Sequence, residues 1–121
     1  IERHFSGHVA TVWEDLARAS VVRDEWTRAA PWWGTGLDGR PLEIDLVAES
    51  AVRKSLLLGE AEWSDSSGPS RLADELRRKA ENFPAAVGRP CRLALWLKRR
   101  PSRESKGVSV FTPREVLHAL R

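Results

Sequence analysis

Three carboxylates lie close together in one stretch of this chain. Asp45 sits in Leu42-Glu43-Ile44-Asp45-Leu46-Val47, and Glu60 and Glu62 sit in Leu56-Leu57-Leu58-Gly59-Glu60-Ala61-Glu62-Trp63. A carboxylate drawn into apolar surroundings needs a cation, hydrogen bonds or a proton, because its desolvated charge is costly. A divalent metal would serve. The two segments alternate or run apolar over strand length and flank the polar stretch Glu49 to Lys54, which predicts a β-hairpin. Strand side chains change face at every residue, so Asp45 is expected to share a face with Glu43 and Val47, and Glu60 with Leu58 and Glu62. Where those faces coincide, the three carboxylates meet at one end of the hairpin.

The rest of the chain supplies elements to hold such a hairpin. Ile1, Phe5, Val9, Trp13, Leu16 and Ala17 recur at helical spacing, with Val12 beside them, so Ile1 to about Ala19 reads as an amphipathic helix. Val21 to Ala29 fits a short strand or a loop. Ala30-Pro31-Trp32-Trp33-Gly34-Thr35-Gly36 reads as a turn or extended loop. In an extended segment the adjacent tryptophans point opposite ways, one toward the core and the other toward the hairpin or a ligand. Ser70 is the expected N-cap of a helix from Arg71 to about Asn82, with Leu72, Ala73, Leu76, Ala80 and Phe83 as its buried stripe and Pro84 as its stop. Arg92 to Leu97 and Gly107 to Phe111 read as strands. Thr112-Pro113-Arg114-Glu115 combines a capping box with proline at the first helical position and starts a closing helix through Leu120.

A length of 121 residues, 41% hydrophobic and 31% charged, is that of a single globular domain, residues 1–121, with one core. Methionine is absent even at position 1, so the chain is expected to be a piece excised from a longer polypeptide. Cys91 is the only cysteine, which excludes an internal disulfide and fits a reducing, cytoplasmic setting. It starts an apolar strand, where a small buried thiol is expected. No apolar run approaches the roughly 20 residues of a membrane helix, so no membrane partner is expected. The net charge of +3 is unevenly spread. Lys98, Arg99, Arg100, Arg103 and Lys106 crowd one loop, and Arg77, Arg78 and Lys79 stand together on the predicted helix. Such clusters can neutralise nucleic-acid phosphates, or they are a solvated loop and a solvated helix face. His4 and His8 lack the cysteine or HExxH partners of a zinc site, and His118 is not placed to join them. His4 and His8 read as solvent-facing.

Asp45, a spacer and then Glu60-Ala61-Glu62 at the end of an apolar strand resemble the PD-(D/E)XK nuclease superfamily. Trp32-Trp33-Gly34, the Glu43-to-Ala48 strand EIDLVA, and Gly59-Glu60-Ala61-Glu62-Trp63 look more specifically like the uncharacterised nuclease-like domain at the C-terminus of archaeal-type ATPases, shared by archaea and bacteria. The resemblance covers most of the chain. It implies an α/β, restriction-endonuclease-like αβββαβ core with a mixed sheet flanked by helices, and a parent ATPase module in the same polypeptide. No GxxxxGK(S/T) loop occurs here, so ATP chemistry would belong to the parent. The resemblance also implies Mg²⁺ held by Asp45, Glu60 and the backbone carbonyl of Ala61, and phosphodiester cleavage.

Two positions depart from the family pattern. Glu62 occupies the place of the usual lysine, exchanging a positive for a negative charge beside the phosphate. Some active restriction endonucleases of the superfamily carry glutamate there. Ser6, in Arg3-His4-Phe5-Ser6, occupies the place of a first-helix glutamate, and Glu2 lies one helical turn away as a substitute. The expectation is therefore a nuclease-like domain with a degraded motif that binds nucleic acid or cleaves it with Mg²⁺. The alternative is a non-catalytic interaction or regulatory module of the parent ATPase.

Overall fold

The computed structural model of the chain describes residues 2–21, 25–50, 52, 54–64 and 68–121, with side chains from Val9 onward in the first helix. The elements run α1 (Glu2–Ala19), β1 (Ala30–Thr35), β2 (Pro41–Glu49), β3 (Leu56–Glu62), α2 (Pro69–Asn82), β4 (Cys91–Leu97), β5 (Val108–Phe111) and α3 (Pro113–Ala119). One five-stranded sheet has the order β1-β2-β3-β4-β5. The β1–β2 and β2–β3 pairs are antiparallel, and β3–β4 and β4–β5 are parallel. This is the expected α/β class, an αβββαβ core with a mixed sheet flanked by helices.

Two apolar clusters cover the two faces of the sheet. Leu72, Ala73 and Leu76 of α2 pack on Leu42, Ile44, Leu58 and Leu95. Trp13 and Ala17 of α1 and Val116 of α3 pack on Leu46, Leu57, Ala94 and Trp96 on the other side. Gly59 is required on the α1 side, because a Cβ there would stand 2.3 Å from Cζ3 of Trp96. Among the described residues no helix is long and apolar enough to cross a membrane.

Several local readings change. Ala30–Thr35, expected as a turn or extended loop, is the strand before the hairpin; of Val21 to Ala29, for which strand and loop were both open, Trp26 makes one isolated bridge to Ser50. The turn lies just after β1, where Gly39 takes a φ of 78° and Asp38 Oδ1 accepts from the Arg40 N–H at 3.0 Å. Trp32 packs edge-on to Phe83 at 4.8 Å, while Trp33 is 71% exposed. Helix α2 begins two residues earlier than Arg71, with Gly68 as N-cap and Pro69 at the first helical position, so Ser70 is inside the helix. Cys91 is half-buried, its thiol pushed up by burial. The capping box forms as expected: the Glu115 carboxylate accepts from both the hydroxyl and the N–H of Thr112.

Candidate functional site

The β2–β3 ladder runs from Glu49 opposite Leu56 to Leu46 opposite Gly59. One step further Asp45 and Glu60 come opposite each other, and side chains take over from the ladder. Glu60 Oε2 accepts from the Asp45 N–H at 2.9 Å, and Asp45 Oδ2 accepts from the Ala61 N–H at 2.9 Å. The Asp45 carbonyl accepts from Arg18 Nη1 of α1 at 2.8 Å. The Asp45 N–H and carbonyl and the Ala61 N–H thus each have a side-chain partner, as burial demands.

The cause is one extra residue in β2. Opposite β1, the two-residue step from Ala30 to Trp32 faces the three-residue step from Val47 to Ile44. Leu42 and Ile44 accordingly join the α2-side cluster, whereas Leu46 and Ala48 join the α1-side cluster. This is a β-bulge, which re-aims a side chain. It also corrects a parity argument: Val47 leans on the α2-side cluster, as Ile44 does, so Glu43 and Val47 do not share a face across Asp45. Glu60, Leu58 and Glu62 do keep to the α2 side, with Leu58 in the α2-side cluster, Glu60 bonded to Lys79 of α2 and Glu62 beside Leu72.

Electrostatics follow from this crowding. The Glu60 carboxyl is pushed up to about 7, first by burial and then by the Asp45 charge, with the Lys79 ammonium opposing the shift. The two hold each other in an ion pair whose side chains are 19% (Lys79) and 11% (Glu60) exposed. Glu14 of α1 is also raised, by burial and then by Asp45, with Asp15 and Glu62 contributing and Arg18 opposing. Carboxylates from α1, β2 and β3 thus share one electrostatic neighbourhood.

Parallel pairing fixes what lies beside it. Glu62 is in register with Leu97, the last residue of β4, so the basic loop starts level with the carboxylates. An open groove of about 390 Å³ lies there, lined by Glu62, Lys98, Arg99, Arg100 and Arg103. The Lys98 ammonium sits 5.4 Å over the Trp63 ring, which packs edge-on to Trp13 at 5.2 Å. Arg100 is paired with Glu115 of α3. Lys106 stands outside the groove and accepts from Arg77 Nη2 through its carbonyl at 2.6 Å. Arg99 and Arg103 carry no ion pair among the described residues. Glu62 likewise makes none there; it accepts from the Ser64 N–H at 3.3 Å.

The oxygen donors Asp45, Glu60 and the Ala61 carbonyl are of the type Mg²⁺ takes. Asp45 keeps Oδ1 uncommitted among the described residues, and Glu60 Oε1 is held by Lys79. No three His, Cys, Asp or Glu side chains among the described residues are grouped as a ligand set. The side chains of Glu2, His4, Ser6 and His8 lie outside the described residues, so the first-helix position is not described. His118 is exposed on α3.

Sequence reasoning missed Glu14 and Arg18, and grouped Lys79 with Arg77 and Arg78 instead of with the carboxylates. The signals were present. Glu14 and Arg18 are four apart and flank the buried Trp13 and Ala17, and Lys79 follows Leu72 and Leu76 on the buried stripe of α2. No protein-family model matches the chain, and no curated protein matches it.

Proposed function

We propose that this is a PD-(D/E)XK nuclease-like domain appended to an ATPase, engaging nucleic acid beside the Asp45–Glu60 bulge with weakened cleavage machinery. The observation that carries the reading is the meeting of Asp45 and Glu60 where the β2–β3 ladder gives way, beside a groove lined by Lys98, Arg99, Arg100 and Arg103. A buried carboxylate with a raised pKa beside a second carboxylate is costly for stability, and such costs concentrate at functional sites.

Each residue then has a task. Asp45, Glu60 and the Ala61 carbonyl would hold Mg²⁺, which when bound supplies positive charge to a phosphate oxygen. Arg99 and Arg103 bind backbone phosphates, giving affinity that is independent of sequence and falls with salt. Arg18 holds the bulge through the Asp45 carbonyl, so Asp45 stays aimed at Ala61. Glu62 opposes an incoming phosphate, since it puts a negative charge where the family carries lysine.

The test is cleavage of single- and double-stranded DNA and RNA with Mg²⁺ or Mn²⁺ by the chain and by Glu62→Lys, alone and with Ser6→Glu. Activity appearing or rising in Glu62→Lys supports the reading. A well-folded double variant that neither binds metal nor cleaves any substrate ends it. A second reading, an interaction module of the parent ATPase, draws support from the Lys79–Glu60 ion pair, which offsets the charge of Glu60 without a metal.

A further inference from the structure

Lys79 reaches the carboxylates from α2, from a position that packing alone would give to an apolar residue. Leu72, Ala73 and Leu76 are the buried residues of that helix, and Lys79 follows Leu76 by three, on the same face. Its side chain is 19% exposed and its ammonium donates to Glu60 Oε1. Burying an ammonium against a carboxylate gains little over a well-packed apolar pair, so the lysine is not accounted for by stability. The neighbouring Arg77 pairs with Asp74 at 2.8 Å, an ordinary exposed contact within the helix.

The two oxygens of Glu60 are divided. Oε2 serves the Asp45 N–H and keeps the bulge closed, while Oε1 faces the ammonium. Oε1 is the oxygen the bulge does not use, so a second cation that binds there meets the ammonium. We propose, resting on the reading above, that Lys79 is the resident cation of this site: it holds Glu60 Oε1 in the metal-free domain and must leave it for a divalent ion to bind. The ion and the ammonium are alternatives at one oxygen. Once displaced, the ammonium is a mobile positive charge on the α2 side of the sheet, the side on which Glu62 lies. Lys79 therefore sets the threshold for metal binding and acts as a positioning residue through Glu60.

The test compares Mn²⁺ affinity of the 121-residue chain and of Lys79→Met by calorimetry. Methionine keeps an unbranched apolar stem and removes the competing charge. Lys79→Met should bind Mn²⁺ about tenfold to a hundredfold more tightly, the scale of a lost charge-assisted hydrogen bond. In the unaltered chain, Mg²⁺ should shift the ¹⁵N resonance of the Lys79 ammonium and speed its exchange with water. Equal or weaker Mn²⁺ affinity in folded Lys79→Met overturns the inference and leaves the metal reading of Asp45 and Glu60 standing. If Lys79→Met does not fold, the ammonium decides: an unchanged resonance at saturating Mg²⁺ overturns the inference. Absence of divalent binding in both proteins overturns the metal reading and the inference together.

Discussion

Glu60 and Glu115 each face a basic side chain, yet their acidities move in opposite directions. Glu60, between sheet and α2 with Lys79 at hand, is pushed up to about 7 by burial and by Asp45. Glu115, in the first turn of α3 with Arg100 at hand, is held down at about 2, chiefly by the Thr112 hydroxyl. A cation does not decide the sign; desolvation and a second carboxylate do. The cap glutamate stabilises its helix, whereas the hairpin glutamate costs stability when ionised. That is the physical ground for looking for function at Glu60 and not at Glu115.

The largest expected break in this contrast comes from removing the cations. Lys79→Met should lower stability by about 3 kcal/mol at pH 8, because it strands a buried carboxylate, and by less at pH 5, where Glu60 takes a proton. Arg100→Met should cost about 1 kcal/mol or less at either pH. Chemical denaturation of the two variants at both pH values checks this, and equal losses would erase the contrast.

Next in size is the pH dependence. With its folded carboxyl raised above the ordinary value of 4.5, Glu60 binds more protons in the folded state than in the unfolded state. Its contribution is present below about 4.5 and is lost as pH rises through about 7, a fall of about 3 kcal/mol. Glu60→Gln should flatten that window, as thermal unfolding from pH 4.5 to 8 would reveal.

A smaller effect of opposite sign belongs to Glu115→Gln. It should cost about 1 kcal/mol at neutral pH, the scale of a capping interaction. Because the folded carboxyl lies below 4.5, the loss should shrink as pH falls toward about 2. The smallest effect separates neighbours in the basic loop. Arg99→Gln should reduce the slope of log affinity for DNA against log salt by about 1. Arg100→Gln should change it less, because Arg100 is committed to Glu115.

Much of this was legible in the chain. Alternation gave the hairpin, the Leu72–Leu76 stripe gave α2, and Thr112-Pro113 gave the start of α3. The opposition of Asp45 and Glu60 also followed from the hairpin. The bulge was not legible, because Leu42, Ile44, Leu46 and Ala48 alternate without a break; both faces of the sheet are apolar, so a change of face leaves no mark in the pattern. Strand β1 was hidden by Pro31, Gly34 and Gly36, which read as loop residues but suit an edge strand. In the sequence Lys79 stands with Arg77 and Arg78 as one charged group, although it follows the buried Leu76 by three.

The most direct measurement is a calorimetric titration of Mn²⁺ into the chain and into Asp45→Asn near pH 8, where Glu60 is ionised. One saturable site is expected in the unaltered chain, with affinity at least about tenfold weaker in Asp45→Asn, since a neutral amide replaces one of two carboxylate ligands. No binding in the unaltered chain, or equal binding in both, would contradict the claim that Asp45 and Glu60 form a metal site.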